Sequence, residues 1–387
     1  MHTPNDMSRS RAAFAQNSTL IAVVEMSLSS WLVAGIVPGL DRQPTKKLAV
    51  DHDALLELLH RWRNEAVRAG CQINRIVVAY ESGRDGFWLA RWLRARGVEA
   101  YVIHASSVPV SREHRRAKTD RLDTELLKRA FLGWLRGEAN HCSMAAIPTQ
   151  EDEDAKRPGR ERENLIRECT RIVNRIKSNL ARLGIRGFKM SMEHSAETLE
   201  TLRTPEGGAI PANTLAELNR EIDRLRFLRQ QIKQVEAARA DRLRETPDES
   251  GTAMIRELTR VVGVGVETAD MLVREVFSRP LRDRKAVARY AGLTGAPDES
   301  GQKRRERGLA KAGNARVRRG MIQLAWGHLL HQKDSVLAVW YRKRTADGRG
   351  GLRKTMIVAL ARKLLIVLWR IATTGVTPEG IAIRPAV

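Results

Sequence analysis

Apolar residues follow three regimes along this chain. In the first hundred residues they form short runs: Leu20 to Val24, Trp31 to Val37, Leu48 to Val50, Ile76 to Tyr80 and Tyr101 to Ile103, each the length of a strand. Met26-Ser27-Leu28-Ser29-Ser30 joins the first two and predicts a hairpin. Between the later runs the spacing changes to three and four. Leu55, Leu56, Leu58, Leu59 and Trp62 predict a helix from Asp51 to Ala69, and Phe87, Trp88, Leu89, Trp92 and Leu93 predict a second that ends at Gly97. A third follows with Leu122, Leu126, Leu127, Ala130 and Phe131. The predicted order is β-β-β-α-β-α-β-α.

The second regime is purely helical. Ala145 to Arg160 predicts a linker, with Pro148, the acidic run Glu151-Asp152-Glu153-Asp154, and Pro158-Gly159. Leu165, Ile166, Cys169, Ile172, Val173, Ile176, Leu180 and Leu183 then mark one helix. After the Pro205–Gly208 break, Leu218, Ile222, Leu225, Leu228, Ile232 and Val235 mark another, opened by the capping pattern Thr214-Leu215-Ala216-Glu217. Two such helices joined by a loop predict an antiparallel coiled-coil hairpin or a dimerisation arm.

The third regime starts near Pro247 and is helical with glycine-rich interruptions. LTRVVGVGVETADMLVREV predicts helix, Gly263-Val264-Gly265 turn and helix. Ser300-Gly301 falls in a turn-rich stretch, and an apolar helix from Lys354 to Thr373 predicts the core of this region.

Charge changes the picture. The 387 residues carry 68 Lys and Arg against 45 Asp and Glu, a net charge of +23. This predicts a polyanionic partner. No apolar stretch is long and clean enough to predict a membrane span, and the N-terminus lacks the apolar segment of a signal peptide. Three scattered cysteines, Cys71, Cys142 and Cys169, suit a reducing, cytoplasmic setting and exclude a cysteine-built zinc site.

Against that background, four acidic residues stand out. Glu25 and Glu81 end the first and fourth strand runs, while Asp120 and Asp123 lie three apart, on one face of the third helix. Carboxylates at buried strand ends need a compensating cation or proton. Mg²⁺ takes oxygen ligands and keeps positions for water and phosphate. The element order is that of an RNase H-like (RuvC-like) domain, in which such carboxylates converge on metal; a solvated first helical turn is the competing account of the Asp pair. Basic residues cluster twice, at Arg112, Arg115, Arg116 and Lys118, and at Lys303, Arg304, Arg305, Lys311, Arg316 and Arg318. With Trp340, Tyr341 and Gly348–Gly351 the second cluster predicts a nucleic-acid surface.

IAVVE, AYESGRDGFWLARWL, SSVPVSREHRRAKTDRLDTELLKR, VVGVGVETADMLVREV, RYAGLTGAPDESG and GLAKAGNARVRRGMIQLAW, taken in order, resemble the DEDD transposases of the insertion-sequence one-ten family. The resemblance implies an α/β plus α fold: a RuvC-like domain over 19–145, coiled-coil helices over 160–246 and a helical transposase domain over 247–387. It implies Glu25, Glu81, Asp120 and Asp123 as Mg²⁺ ligands and Ser300 as nucleophile, with Glu25 standing where the family usually has Asp. It also implies donor and target DNA as substrates, a structured guide (bridge) RNA as partner, and a dimer or tetramer, nucleoid-associated when bound to DNA. A RuvC-type nuclease that uses water, and a binding scaffold with a decayed metal site, are the two rival readings.

Overall fold

The computed structural model describes residues 13–83, 86–108, 120–138, 141–190, 195–246, 250–279, 281–300, 303–310, 312–346, 348 and 350–385. The chain divides into two compact units, residues 1–151 and 152–387.

The first unit is built on β1 (Thr19–Met26), β2 (Trp31–Ile36), β3 (Thr45–Leu48), α1 (His52–Arg68), β4 (Arg75–Glu81), α2 (Trp88–Arg94), β5 (Glu99–Ile103) and α3 (Asp120–Leu135). The strands form one mixed sheet in the order β3-β2-β1-β4-β5. β1, β2 and β3 run antiparallel, whereas β4 and β5 run parallel to β1. Leu20 to Val24 are buried without a break because β1 is central and covered on both faces. Leu20, Val24, Val78 and Tyr80 pack with Leu55, Trp62, Leu89 and Leu93 of α1 and α2. Ile21, Val23, Val77, Ala79 and Ile103 pack with Leu127, Ala130, Phe131 and Trp134 of α3. The buried Tyr80 hydroxyl donates to the Gly86 carbonyl at 3.1 Å and accepts from the Ala90 amide at 3.2 Å, tying the end of β4 to α2.

In the second unit, α5 (Arg157–Arg182) and α7 (Ala212–Glu245) are the long helices. Arg162 bonds Glu236, Arg175 bonds Glu221 and Asn179 bonds Glu217, so the two helices run antiparallel within one chain. Leu165, Ile172, Ile176, Leu180, Leu218, Ile222 and Leu225 form their shared core, joined by Leu199 of the short α6 (Ser195–Thr201). A separate core gathers α8 (Ser250–Thr259), α9 (Val266–Leu272) with its π-helical extension Val273–Phe277, α10 (Arg284–Tyr290), α11 (Ala315–His331), α12 (Val336–Arg344) and α13 (Gly350–Thr374). Between α10 and α11 the chain makes an antiparallel ribbon, β6 (Gly295–Ser300) and β7 (Lys303–Leu309).

Several expectations need correction. Most of the predicted linker is helical: Gln150–Asp154 is a short helix (α4), and Pro158-Gly159 lie in the first turn of α5, where a missing amide hydrogen costs nothing. Ser300 ends a strand. The register sets Asp298 opposite Arg305 and Glu299 opposite Arg304. Gly350-Gly351 open α13 and are no loop. Tyr341 is buried in the core, while Trp340 lies under the Lys363 ammonium, 4.9 Å from the ring centre, so this pair gives no exposed aromatic platform.

Candidate active site

In β1 and β4 the side chains alternate between faces, and the pairing Val24↔Tyr80 keeps the two strands in step. Glu25 therefore shares a face with Ile21 and Val23, and Glu81 with Val77 and Ala79. That is the face covered by α3. The last turn of α3 lies at the opposite end of the sheet. Trp134 packs on Tyr101 with centroids 5.0 Å apart, and the Arg136 guanidinium donates to Gln16, which precedes β1, at 3.3 Å. The sixteen residues of α3 span about 24 Å, close to the length of β1, so its first turn lies at the strand ends that carry Glu25 and Glu81. Asp123 falls on the same stripe as Leu127, Ala130 and Trp134. Asp120 is the first residue of α3, and its side chain lies outside the described residues.

All four positions are thus brought to one end of one face, but not into a closed cage. The carboxylate oxygens of Glu25, Glu81 and Asp123 do not gather within 4.8 Å; among the described residues only Asp51, His52 and Asp53 do so. That exposed triad has a structural explanation, since the Asp51 carboxylate caps α1 by accepting from the Asp53 and Ala54 amides at 2.8 and 3.2 Å. Glu25 and Asp123 are half-buried and Glu81 is exposed. The exposure of Glu81 departs from the expectation of two buried strand-end carboxylates. The donor set is all oxygen, which fits Mg²⁺.

The second unit places the basic candidates unevenly. Arg112, Arg115, Arg116, Lys118 and Lys311 lie outside the described residues, as do the side chains of Lys303, Arg304, Arg305 and Ser300. Arg318 is half-buried and donates to the Ala312 carbonyl at 3.2 Å. Arg316 is a correction: its guanidinium is enclosed by Glu163 at 2.9 Å, Glu275 at 3.2 Å and Glu267 at 3.7 Å, leaving its side chain 14% exposed. Its charge is compensated inside the fold and is not presented to phosphate. Arg319 pairs with Glu163 as well.

Glu275, which sequence reasoning passed over, is the centre of this network. It sits in the π-helical turn, 3% exposed, and accepts from Arg160 at 2.9 and 3.1 Å and from the Asn314 side-chain amide at 3.3 Å. Burial pushes its carboxyl up, but the Arg160 hydrogen bond and the Arg160 and Arg316 charges outweigh that and hold it below the ordinary carboxylate range. A carboxylate beside Arg274 in the otherwise apolar stretch Met271–Phe277 was the available signal.

Over 374 residues the chain is 39% identical to a Sinorhizobium fredii protein named as a transposase, a match covering 93% of each. The chain belongs to the IS116/IS110/IS902 transposase family. That family's model matches residues 255–342, from α8 through the ribbon to α12. A Pseudomonas aeruginosa protein named as a family 20 transposase is 26% identical over 310 residues, covering 77% of this chain and 84% of its own length. A second Sinorhizobium fredii transposase is 23% identical over 332 residues. No described helix of this transposase is long and apolar enough to cross a membrane.

Proposed function

We propose that this transposase cuts and rejoins DNA strands through a RuvC-like carboxylate site and a serine nucleophile, guided by a structured RNA encoded with its element. The observation that carries the reading is the placement of Glu25, Glu81, Asp120 and Asp123 at one end of one sheet face. The strand order β3-β2-β1-β4-β5 supports reading the first unit as RNase H-like, and the antiparallel α5 and α7 support reading them as a coiled-coil arm. The working division is a RuvC-like domain over 19–145, the arm over 160–246 and a transposase domain over 247–387.

The four carboxylates would hold Mg²⁺, which when bound supplies positive charge against a phosphate oxygen. The chain's own residues do the remainder. Ser300 Oγ attacks the scissile phosphorus, its proton passes to a carboxylate or water, and the displaced sugar oxygen leaves as a hydroxyl. The new phosphoester conserves bond energy for rejoining. Serine needs such a base because its hydroxyl is a weak nucleophile. Cations of the ribbon steady the phosphate. Sequence choice is left to RNA–DNA pairing, and a homo-oligomer supplies the sites for both DNA partners. A water-dependent nuclease is the rival reading, favoured by the solvent exposure of Glu81.

A covalent test separates them. The full chain, produced with the non-coding DNA that flanks its gene and given DNA carrying the element's ends in Mg²⁺, should yield a denaturation-resistant protein–DNA adduct. Ser300→Ala should remove the adduct and recombination while leaving DNA binding intact. Normal recombination by Ser300→Ala would overturn the serine mechanism and favour the nuclease.

A further inference from the structure

The ribbon that ends in Ser300 is held at its root by close backbone packing and backbone hydrogen bonds. Before β6, Gly292 takes a left-handed φ of 67°, and after β7 Gly313 takes 82°. A side chain on Gly313 would come within 2.6 Å of the Arg289 and Tyr290 carbonyl oxygens, so backbone lies directly on backbone there. The Ala310 amide donates to Thr294 at 3.1 Å and the Asn314 amide to Tyr290 at 2.7 Å, closing the root.

Asn314 then does two things with one side chain. Its carbonyl oxygen caps α11, accepting from the Arg316 and Val317 amides at 3.0 and 3.3 Å. Its amide nitrogen donates to Glu275 at 3.3 Å. Glu275 in turn holds Arg160 of α5 and Arg316 of α11. A π-helical turn supplies that carboxylate, the kind of local irregularity that often marks a functional place.

We propose that Asn314 is a positioning residue for the transposition reaction, locking the root of the Ser300 ribbon to the Glu275–Arg160–Arg316 hub. The proposal rests on the reading of Ser300 as nucleophile. Its physical basis is leverage. Five residue steps separate Gly295 from Ser300, about 17 Å of strand, so a root rotation of about 10° would sweep the tip by roughly 3 Å. A misplacement of about 1 Å can cost a reaction on the order of a hundredfold. A joint that is loose by a few degrees therefore defeats a nucleophile carried on such an arm, while binding surfaces elsewhere are untouched.

The cap and the tie can be separated experimentally, because Ser and Asp cap helices as well as Asn. Asn314→Ser keeps the cap and loses the donor. Asn314→Asp keeps the cap and sets a second carboxylate against Glu275. Both are made in the full chain and assayed with the same end-bearing DNA for melting temperature, DNA affinity and rate of covalent adduct formation at saturating DNA. For Asn314→Ser we expect melting and affinity to stay near wild-type values while adduct formation slows at least about tenfold, the kcat-like change expected of lost positioning; Asn314→Asp should slow it as well and also melt lower, because two carboxylates then meet. Adding Glu275→Gln to Asn314→Asp reverses donor and acceptor and should recover several-fold of the lost rate. A wild-type rate for Asn314→Ser, with Ser300→Ala inactive, overturns the positioning role and leaves the serine reading standing. Parallel loss of melting temperature, binding and rate, without recovery in the double variant, reduces Asn314 to a structural cap and also overturns it. An adduct that persists in Ser300→Ala instead overturns the nucleophile reading on which the role depends.

Discussion

At the scale of single residues, the candidate site turns on carboxylate reach. Glu25 carries one methylene more than the Asp the family resemblance leads one to expect, and its strand continues the register that sets β1 against β4. An extra rotatable bond gives the carboxylate alternative positions at small cost. On the proposed metal reading, Glu25→Asp should keep strand cleavage within about tenfold of wild type, because both side chains offer carboxylate oxygens. Asp123→Asn should reduce cleavage by more than a hundredfold while RNA and DNA affinities hold, a loss of the size seen when one charge-stabilising group is removed; cleavage at a normal rate would remove Asp123 from the site. A second residue-scale prediction concerns stability. His328 is buried, with Nε2 2.8 Å from the Ser335 hydroxyl that also caps α12. Burial lowers its pKa below the ordinary 6.5. The unfolded chain then binds the proton more readily than the folded one, so stability rises with pH. The contribution is complete above about pH 6.5 and is lost as pH falls through the folded value. Thermal unfolding from pH 7.5 to 5 should show the wild-type melting temperature falling more steeply than that of His328→Gln; equal slopes would mean that His328 does not titrate in that range.

At the scale of elements, legibility followed the hydrophobic signal. Leu20 to Val24 and Ile76 to Tyr80 are strands because an unbroken apolar run suits a strand covered on both faces, and α5 and α7 are helices because their apolar residues recur at three and four. The β6–β7 ribbon was missed because GAPDES and KRRERGL show no alternation; cross-strand pairing forms it, and pairing lies between segments that no local window compares. Asp298 and Arg305 reveal it only once set side by side. The joint at Asn314 was missed for the same reason, since Glu275 and Arg160 reach it from distant sequence. The α5–α7 pairing shows the intra-chain side of a choice that spacing left open: Ile222 and Leu225 are buried against α5 of the same chain. Ile222→Asp should therefore cost about 4 kcal/mol of stability, as an unpaired buried carboxylate does, before it affects assembly. Unchanged melting with a smaller oligomer would instead make the arm a subunit interface. Glu221 gives the complementary case. Its carboxylate, 5% exposed, lies 2.9 Å from both Arg175 and Arg224, whose side chains reach solvent. Replacing such a group with an apolar residue often stabilises, because the buried charge is removed and its partners hydrate. Glu221→Leu should melt at or above the wild-type temperature; a clear drop would show that the pair stabilises the hairpin and does more than select its register.

At the scale of the whole molecule, a charge of +23 is distributed in two ways. Part is spent internally: Arg160, Arg162, Arg316 and Arg319 are matched by Glu163, Glu236, Glu267 and Glu275 around the feet of α5, α9 and α11. Arg162 and Arg316 are largely enclosed and hold elements together, whereas Arg160 and Arg319, though paired, keep about half of their side chains in solvent. Binding can then draw on surface such as the last turn of α12, where Arg342, Lys343 and Arg344 are all exposed. Counterion release makes the distinction measurable. Each phosphate neutralised on duplex DNA contributes about −0.9 to the slope of log affinity against log salt. A triple change of Arg342, Lys343 and Arg344 to Gln should flatten the slope by up to about three times that amount and weaken binding at every DNA sequence alike. Arg316→Gln should leave the slope unchanged, since its charge already faces three carboxylates, and should show its effect as a lower melting temperature. If Arg316→Gln flattens the slope instead, the network opens when DNA binds, and the internal pairing seen here is the resting state of a cation that changes partners during the reaction.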